Sequence, residues 1–80
     1  PETELKEGNA SAAVNSAERM LDALGYSVGK VDDEFDRDTK NAVIQFQADH
    51  ELKQTGSIAG ETTYALMDAI REKIDQEDPH

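Results

Sequence analysis

Apolar positions along the chain fall into three helical stripes separated by two glycine-bearing turns. Val14, Ala17, Leu21 and Leu24 follow one another at spacings of three, four and three, which is one face of an α-helix, and Met20 widens that face. Asn9 or Ser11 is the expected N-cap, and Gly25 stands where a left-handed residue closes a helix. A second helix is expected to open at Asp36, whose carboxylate suits the free first-turn amides, with Asp38 adding favourable charge at the positive helix end. Its inward stripe reads Thr39, Ala42, Val43, Phe46 and His50. A third helix follows Gly56-Ser57-Ile58, with the stripe Ile58, Thr62, Ala65, Leu66, Ala69, Ile70 and Ile74. The pattern predicts an all-α fold, a small closed three-helix bundle. Residues 1–8 read as a flexible linker, 9–75 as the bundle, and 76–80, acidic and carrying Pro79, as a disordered tail.

The two turns resemble each other. Gly25-Tyr26 followed by Gly29-Lys30-Val31-Asp32 parallels Glu51-Leu52 followed by Gly56-Ser57-Ile58-Ala59. Each leaves a helix, drops an apolar side chain inward, turns at a glycine and enters the next helix. Two helix–turn repeats sharing one core explain how a chain of 80 residues folds as one domain.

Charge narrows the partners. Eighteen acids against eight bases give a net charge of −10, and the bases are scattered singly. No basic stripe forms, so the phosphate neutralisation that nucleic acid binding needs is missing, and no nucleic acid partner is expected. No apolar run approaches the roughly 20 residues that cross a bilayer, so no membrane insertion is expected. There is no cysteine for a disulfide or a thiolate metal site. The chain begins Pro-Glu without Met and reads as a piece of a longer protein.

Candidate chemistry is sparse. Asp32, Asp33, Glu34, Asp36 and Asp38 put five acids in seven positions. As an EF-hand loop starting at Asp32, the pattern has Arg37 where glycine is required and Val43 where the bidentate Glu belongs, so a solvated turn and helix cap is the expectation. His50 and His80, the only histidines, make a poor zinc set, and His50 suits the negative end of the second helix. Ser11, Ser16, Ser27 and Ser57 fall at caps and turns, their ordinary use. No catalytic residue, no metal and no cofactor is expected. Sugar binding asks for exposed aromatics and planar amides, and the expected contact residues are Tyr26, Val28, Asp32, Gln45 and Tyr64, with Val28 taken to lie in an exposed turn.

The joint order of these residues resembles the small three-helix peptidoglycan-binding domain of bacterial wall enzymes. The likeness runs from about Leu5 to Ile70. It rests on Leu5, Gly8 and Ser11; on Val14, Ala17, Glu18, Leu21, Leu24, Gly25 and Tyr26; on the loop Gly29, Val31, Asp32, Asp33, Phe35, Asp36 and Thr39; on Ala42, Val43, Phe46 and Gln47; and on Leu52, Gly56, Ile58, Thr62 and Leu66. Asp33 and Asp36 stand where the family has loop glycines, Glu51 where it has a helix-ending glycine, and Ala59 where it has an N-cap Asp. The resemblance implies a non-catalytic module that anchors a secreted or surface hydrolase to the wall of a Gram-positive bacterium. The flanks PETELKEG and REKIDQEDPH look like those of the last domain of a carboxyl-terminal processing serine protease. The implied partner is peptidoglycan, and the domain is expected to be a monomer in isolation. A rival reading stays open: an interaction or regulatory domain that packs on its own protease or guides assembly, which the charge of −10 and the scarcity of aromatics favour.

Overall fold

The computed structural model describes residues 4–77. Three helices follow in order: α1 (Ala12–Ala23), α2 (Arg37–Asp49) and α3 (Glu61–Glu77). Among the described residues there is no strand, only two isolated antiparallel bridges. α1 packs against both α2 and α3. The three-helix expectation therefore holds, and the N-caps of α1 and α2 are the expected ones. The Ser11 hydroxyl accepts from the Val14 amide at 3.3 Å, and the Asp36 carboxylate accepts from the Thr39 amide at 3.0 Å.

The first two helices end alike. After α1 the Tyr26 amide donates to the Leu21 carbonyl at 2.9 Å, with Gly25 at φ +97°. After α2 the Leu52 amide donates to the Gln47 carbonyl at 2.8 Å, with Glu51 at φ +57°. Both are left-handed closures that return the chain toward the core. Glu51 is the one described non-glycine residue at positive φ, and its Cβ makes that conformation costly.

The core gathers Val14, Ala17 and Leu21 of α1, Ala42, Val43 and Phe46 of α2, Leu66 of α3, and Val28, Phe35 and Ile58 from the turns. Three members of the expected stripes, His50, Ile70 and Ile74, lie outside both it and the side chains packed against it. His50 caps α2 at the surface, its ring tilted over Phe46 with centroids 4.2 Å apart. Ile74 is 58% exposed, because the buried face of α3 fades beyond Leu66, and α3 itself runs on to Glu77.

Residues 4–8 differ from a flexible linker. Leu5 exchanges two backbone hydrogen bonds with Ile58, at 2.9 and 2.7 Å, and packs on the core. The Gly8 amide donates to the Phe35 carbonyl at 3.0 Å, and the Phe35 amide returns a bond to Asn9. The arm thus straps both interhelical turns, because a turn with no helix of its own still needs partners for its buried amides. Gln76 and Glu77, expected in the tail, are the last turn of α3, which the Lys73–Glu77 pair at 2.8 Å supports. Residues 1–3 and 78–80, with Pro79 and His80, lie outside the described residues.

The left-handed Glu51 supplies a direct check. Glu51→Gly is expected to stabilise the domain by roughly 1 kcal/mol, raising the melting temperature by about 4–8 °C. Thermal unfolding followed by circular dichroism reads it, and an unchanged or lowered midpoint would contradict the assigned closure.

Candidate functional site

Two buried polar side chains set the frame. Glu18 on α1 is fully buried; one carboxylate oxygen accepts the Asp32 amide at 2.7 Å and the other the Thr39 hydroxyl at 2.6 Å. Gln47 on α2 is fully buried too. Its carbonyl oxygen accepts the Gly56 amide at 3.0 Å, and its amide nitrogen lies 3.0–3.1 Å from the Thr55 and Thr62 hydroxyls and the Ser57 carbonyl. In each case a helix grips an amide of the turn that follows it and a threonine in the first turn of the next helix. The internal repeat is therefore a repeat of hydrogen bonding as well as of hydrophobic order.

That frame brings the end of α2 and the turn after α1 against α3. Gly25 turns the chain so that Tyr26 lies edge-on to Phe46, with centroids 5.7 Å apart and planes at 81°, a favourable aromatic geometry. The Tyr26 hydroxyl donates to the Asp49 carboxylate at 2.7 Å. Leu24, Tyr26 and His50 form one wall of an open cleft of about 510 Å³. α3 forms the other. Ala65 and Ala69, one helical turn apart, leave its floor low, while Asp68, Glu72, Lys73 and Gln76 rim it. Burial first, and then the hydrogen bond and negative charge of Asp49, push the Tyr26 phenol up to about 12. The cleft offers an aromatic edge, an imidazole and a mildly acidic rim: the means to hold a polar ligand by stacking and hydrogen bonds. Among the described residues no group of three His, Cys, Asp or Glu side chains is placed to hold a metal ion.

The expected contact residues are not all brought together. Tyr26 lines the cleft; Val28, Asp32, Gln45 and Tyr64 do not. Val28 is corrected outright: it is 1% exposed and belongs to the core, while Val31 three residues on faces solvent. A turn has no period to say which of two valines points inward. The Asp32 carboxylate accepts from the Glu34 amide at 2.9 Å, an Asx turn, so the acid closes the loop. Gln45 is exposed on α2, and Tyr64 is 71% exposed on α3. Sequence reasoning missed Asp68, Glu72 and Gln76. Their spacing of four, beside Ala65 and Ala69, was the available signal.

The raised phenol has a sign that can be tested. The folded protein holds the Tyr26 proton above the ordinary tyrosine value of about 10, so the stabilisation linked to this group is complete below pH 10 and is lost as pH rises toward 12. Ultraviolet titration of phenolate is expected to show one late-ionising tyrosine in the folded domain, absent from Tyr26→Phe. A single transition near the ordinary value in both proteins would contradict the Tyr26–Asp49 bond.

Comparison with known proteins gives one consistent answer. The family described as "Putative peptidoglycan binding domain" matches residues 10–67. The carboxy-terminal processing protease CtpA of Bacillus subtilis (strain 168) is 40% identical over 73 residues, 91% of this chain and 16% of that protein. A "Probable CtpA-like serine protease" of Staphylococcus haemolyticus (strain JCSC1435) is 34% identical over 71 residues, 89% of this chain and 14% of that one. The chain thus spans about a sixth of the curated relatives it matches. Among solved structures, a peptidoglycan-binding protein from Clostridioides difficile, crystallised with glutamine hydroxamate, superposes with TM-score 0.77 at 37% identity, over 81% of this chain and 40% of its own. The SleB N-terminal domain superposes with TM-score 0.83 at 26% identity, over 88% and 96%. With three helices in the same arrangement and the family's pattern across most of its length, this chain belongs to the peptidoglycan-binding domain family.

Proposed function

We propose that this domain is a non-catalytic anchor that holds a CtpA-like serine protease against the peptidoglycan of a Gram-positive cell wall, outside the membrane. Membership of the peptidoglycan-binding family over residues 10–67 carries the reading. The cleft beside Tyr26 supports it as the ligand site, because it is the place where an aromatic edge, an imidazole and hydrogen-bonding side chains meet in one open trough. Tyr26 is the central proposed contact. Asp32, Gln45 and Tyr64 remain proposed only as outlying contacts for an extended ligand, and Val28 is withdrawn. No helix of the described residues is long and apolar enough to cross a membrane.

Electrostatics shape how such binding must behave. A domain of charge −10 approaching an anionic wall is repelled, and the repulsion is screened beyond about 8 Å at physiological ionic strength. Short-range contacts must supply the attraction. The same charge favours the rival reading, in which the domain serves a protein contact and the wall is irrelevant.

Co-sedimentation with purified sacculi separates the two. Binding is expected to strengthen from low to moderate salt and again when teichoic acids are stripped. Tyr26→Ser, with its fold checked by circular dichroism, is expected to bind several-fold more weakly. Sedimentation at background under every condition would overturn the wall-binding reading in favour of the protein contact.

A further inference from the structure

The polar groups at the cleft beside Tyr26 are mostly acceptors. The Tyr26 hydroxyl has a single proton, and it is given to the Asp49 carboxylate at 2.7 Å. With the phenol pushed up to about 12, that proton stays in place at physiological pH. The phenol oxygen can then only accept from a ligand. Asp68 and Glu72, one helical turn apart on the rim, are acceptors as well. Lys73 is the cation of the rim, and Glu77 holds it at 2.8 Å. Among the described residues no ion pair reaches Asp49, Asp68 or Glu72. Three carboxylates and a phenol oxygen thus stand at one cleft without a cation of the protein's own to balance them. The floor at Ala65 and Ala69 and the wall at Leu24 are apolar.

We propose that the cleft takes a primary ammonium on an alkyl stem, and that in the wall this group is the free side-chain amine of the diamino acid in an uncross-linked stem peptide. The inference deepens the wall-binding reading and rests on it. The fit runs from floor to rim. Methylenes lie on the alanine floor, as a lysine stem lies along apolar surface while its charged head stays in polar surroundings. The ammonium brings three donors and a positive charge to groups that lack both. Hydrogen bonds to ionised groups are roughly twice as strong as neutral ones, so an ammonium gains more here than a sugar hydroxyl does. A cleft of about 510 Å³ leaves room for the peptide that carries the amine. The contact also supplies the short-range attraction that a domain of charge −10 needs at an anionic wall. Cross-linking turns that amine into an amide and removes its charge. The domain is therefore selective for sparsely cross-linked wall and carries its enzyme there.

Sacculi stripped of teichoic acid, which can bear amines of the same class, are divided in two. One half is treated with acetic anhydride, which converts free amines to amides as cross-linking does. At moderate salt the parent domain is expected to sediment several-fold less with the acetylated half. Asp68→Asn with Glu72→Gln, both at exposed positions, is expected to bind untreated sacculi weakly and to be indifferent to acetylation. Asp33→Asn with Glu34→Gln removes the same charge beyond the opposite end of α2 from His50, and is expected to respond as the parent does. Parent binding that acetylation leaves unchanged would overturn the inference and leave the wall reading in place. Equal losses in the parent and in the Asp68, Glu72 variant would overturn it too, by assigning the effect to the overall charge of the wall. Background sedimentation throughout would sink the wall reading, and the soluble peptide N-acetyl-Ala-γ-Glu-Lys then decides the inference by nuclear magnetic resonance. Amide shifts at Ala65, Ala69 and Glu72 that vanish when the lysine amine is acetylated uphold it. No shifts, or equal shifts with both peptides, overturn it.

Discussion

The fold depends on two polar side chains inside an apolar core. A buried amide or carboxylate is costly unless its hydrogen bonds are made, and for that reason it fixes geometry more tightly than an apolar contact does. Glu18 fastens the first turn to α2, and Gln47 fastens the second turn to α3. Among the described residues no buried side-chain polar atom is left without a partner. The scheme explains how the turns tolerate poor letters such as Asp33 and Ala59, since their shape is held from the helix side. It also explains why a small core suffices. Phe46, Leu21, Val14 and Val43 supply the hydrophobic gain, while Glu18 and Gln47 specify the arrangement.

Much of this was legible in the chain, and the exceptions share a cause. Ser11, Asp36 and Gly25 act locally, within a few residues of their partners, so cap chemistry identified them. Phe46 and Leu66 were placed by helical period. Val28 and Val31 sit in a turn, where no period says which of them faces the core. The pairing of Leu5 with Ile58 spans most of the chain and leaves no mark in local composition. An acidic, polar arm such as residues 4–8 therefore reads as a linker until its pairing with Ile58 is seen. The cleft was half legible. Tyr26 follows from its place after Gly25, but Asp68, Glu72 and Gln76 become part of a site only once α3 has been laid against the end of α2.

The placement of α3 has functional weight. One side of the helix, at Ala65, Ala69 and Glu72, walls the cleft beside Tyr26; another, at Met67, Ile70 and Ile74, walls an apolar groove. An anchor needs two attachments, one to what it grips and one to what it carries. On the functional reading proposed here, the polar side of the helix, at the cleft, is the one turned toward the wall. Because Gln47 grips Thr62 in the first turn of α3, the positions of both surfaces are tied to the same buried amide.

That dependence is tested most directly at Gln47. Gln47→Met keeps much of the side-chain volume and removes every hydrogen bond the amide makes, leaving the buried Gly56 N–H and the Thr62 hydroxyl without their partner. Denaturant unfolding is expected to show a loss of at least ~2 kcal/mol, and native-state hydrogen exchange a marked loss of protection at Gly56. Stability within about 0.5 kcal/mol of the parent, with Gly56 still protected, would contradict the account.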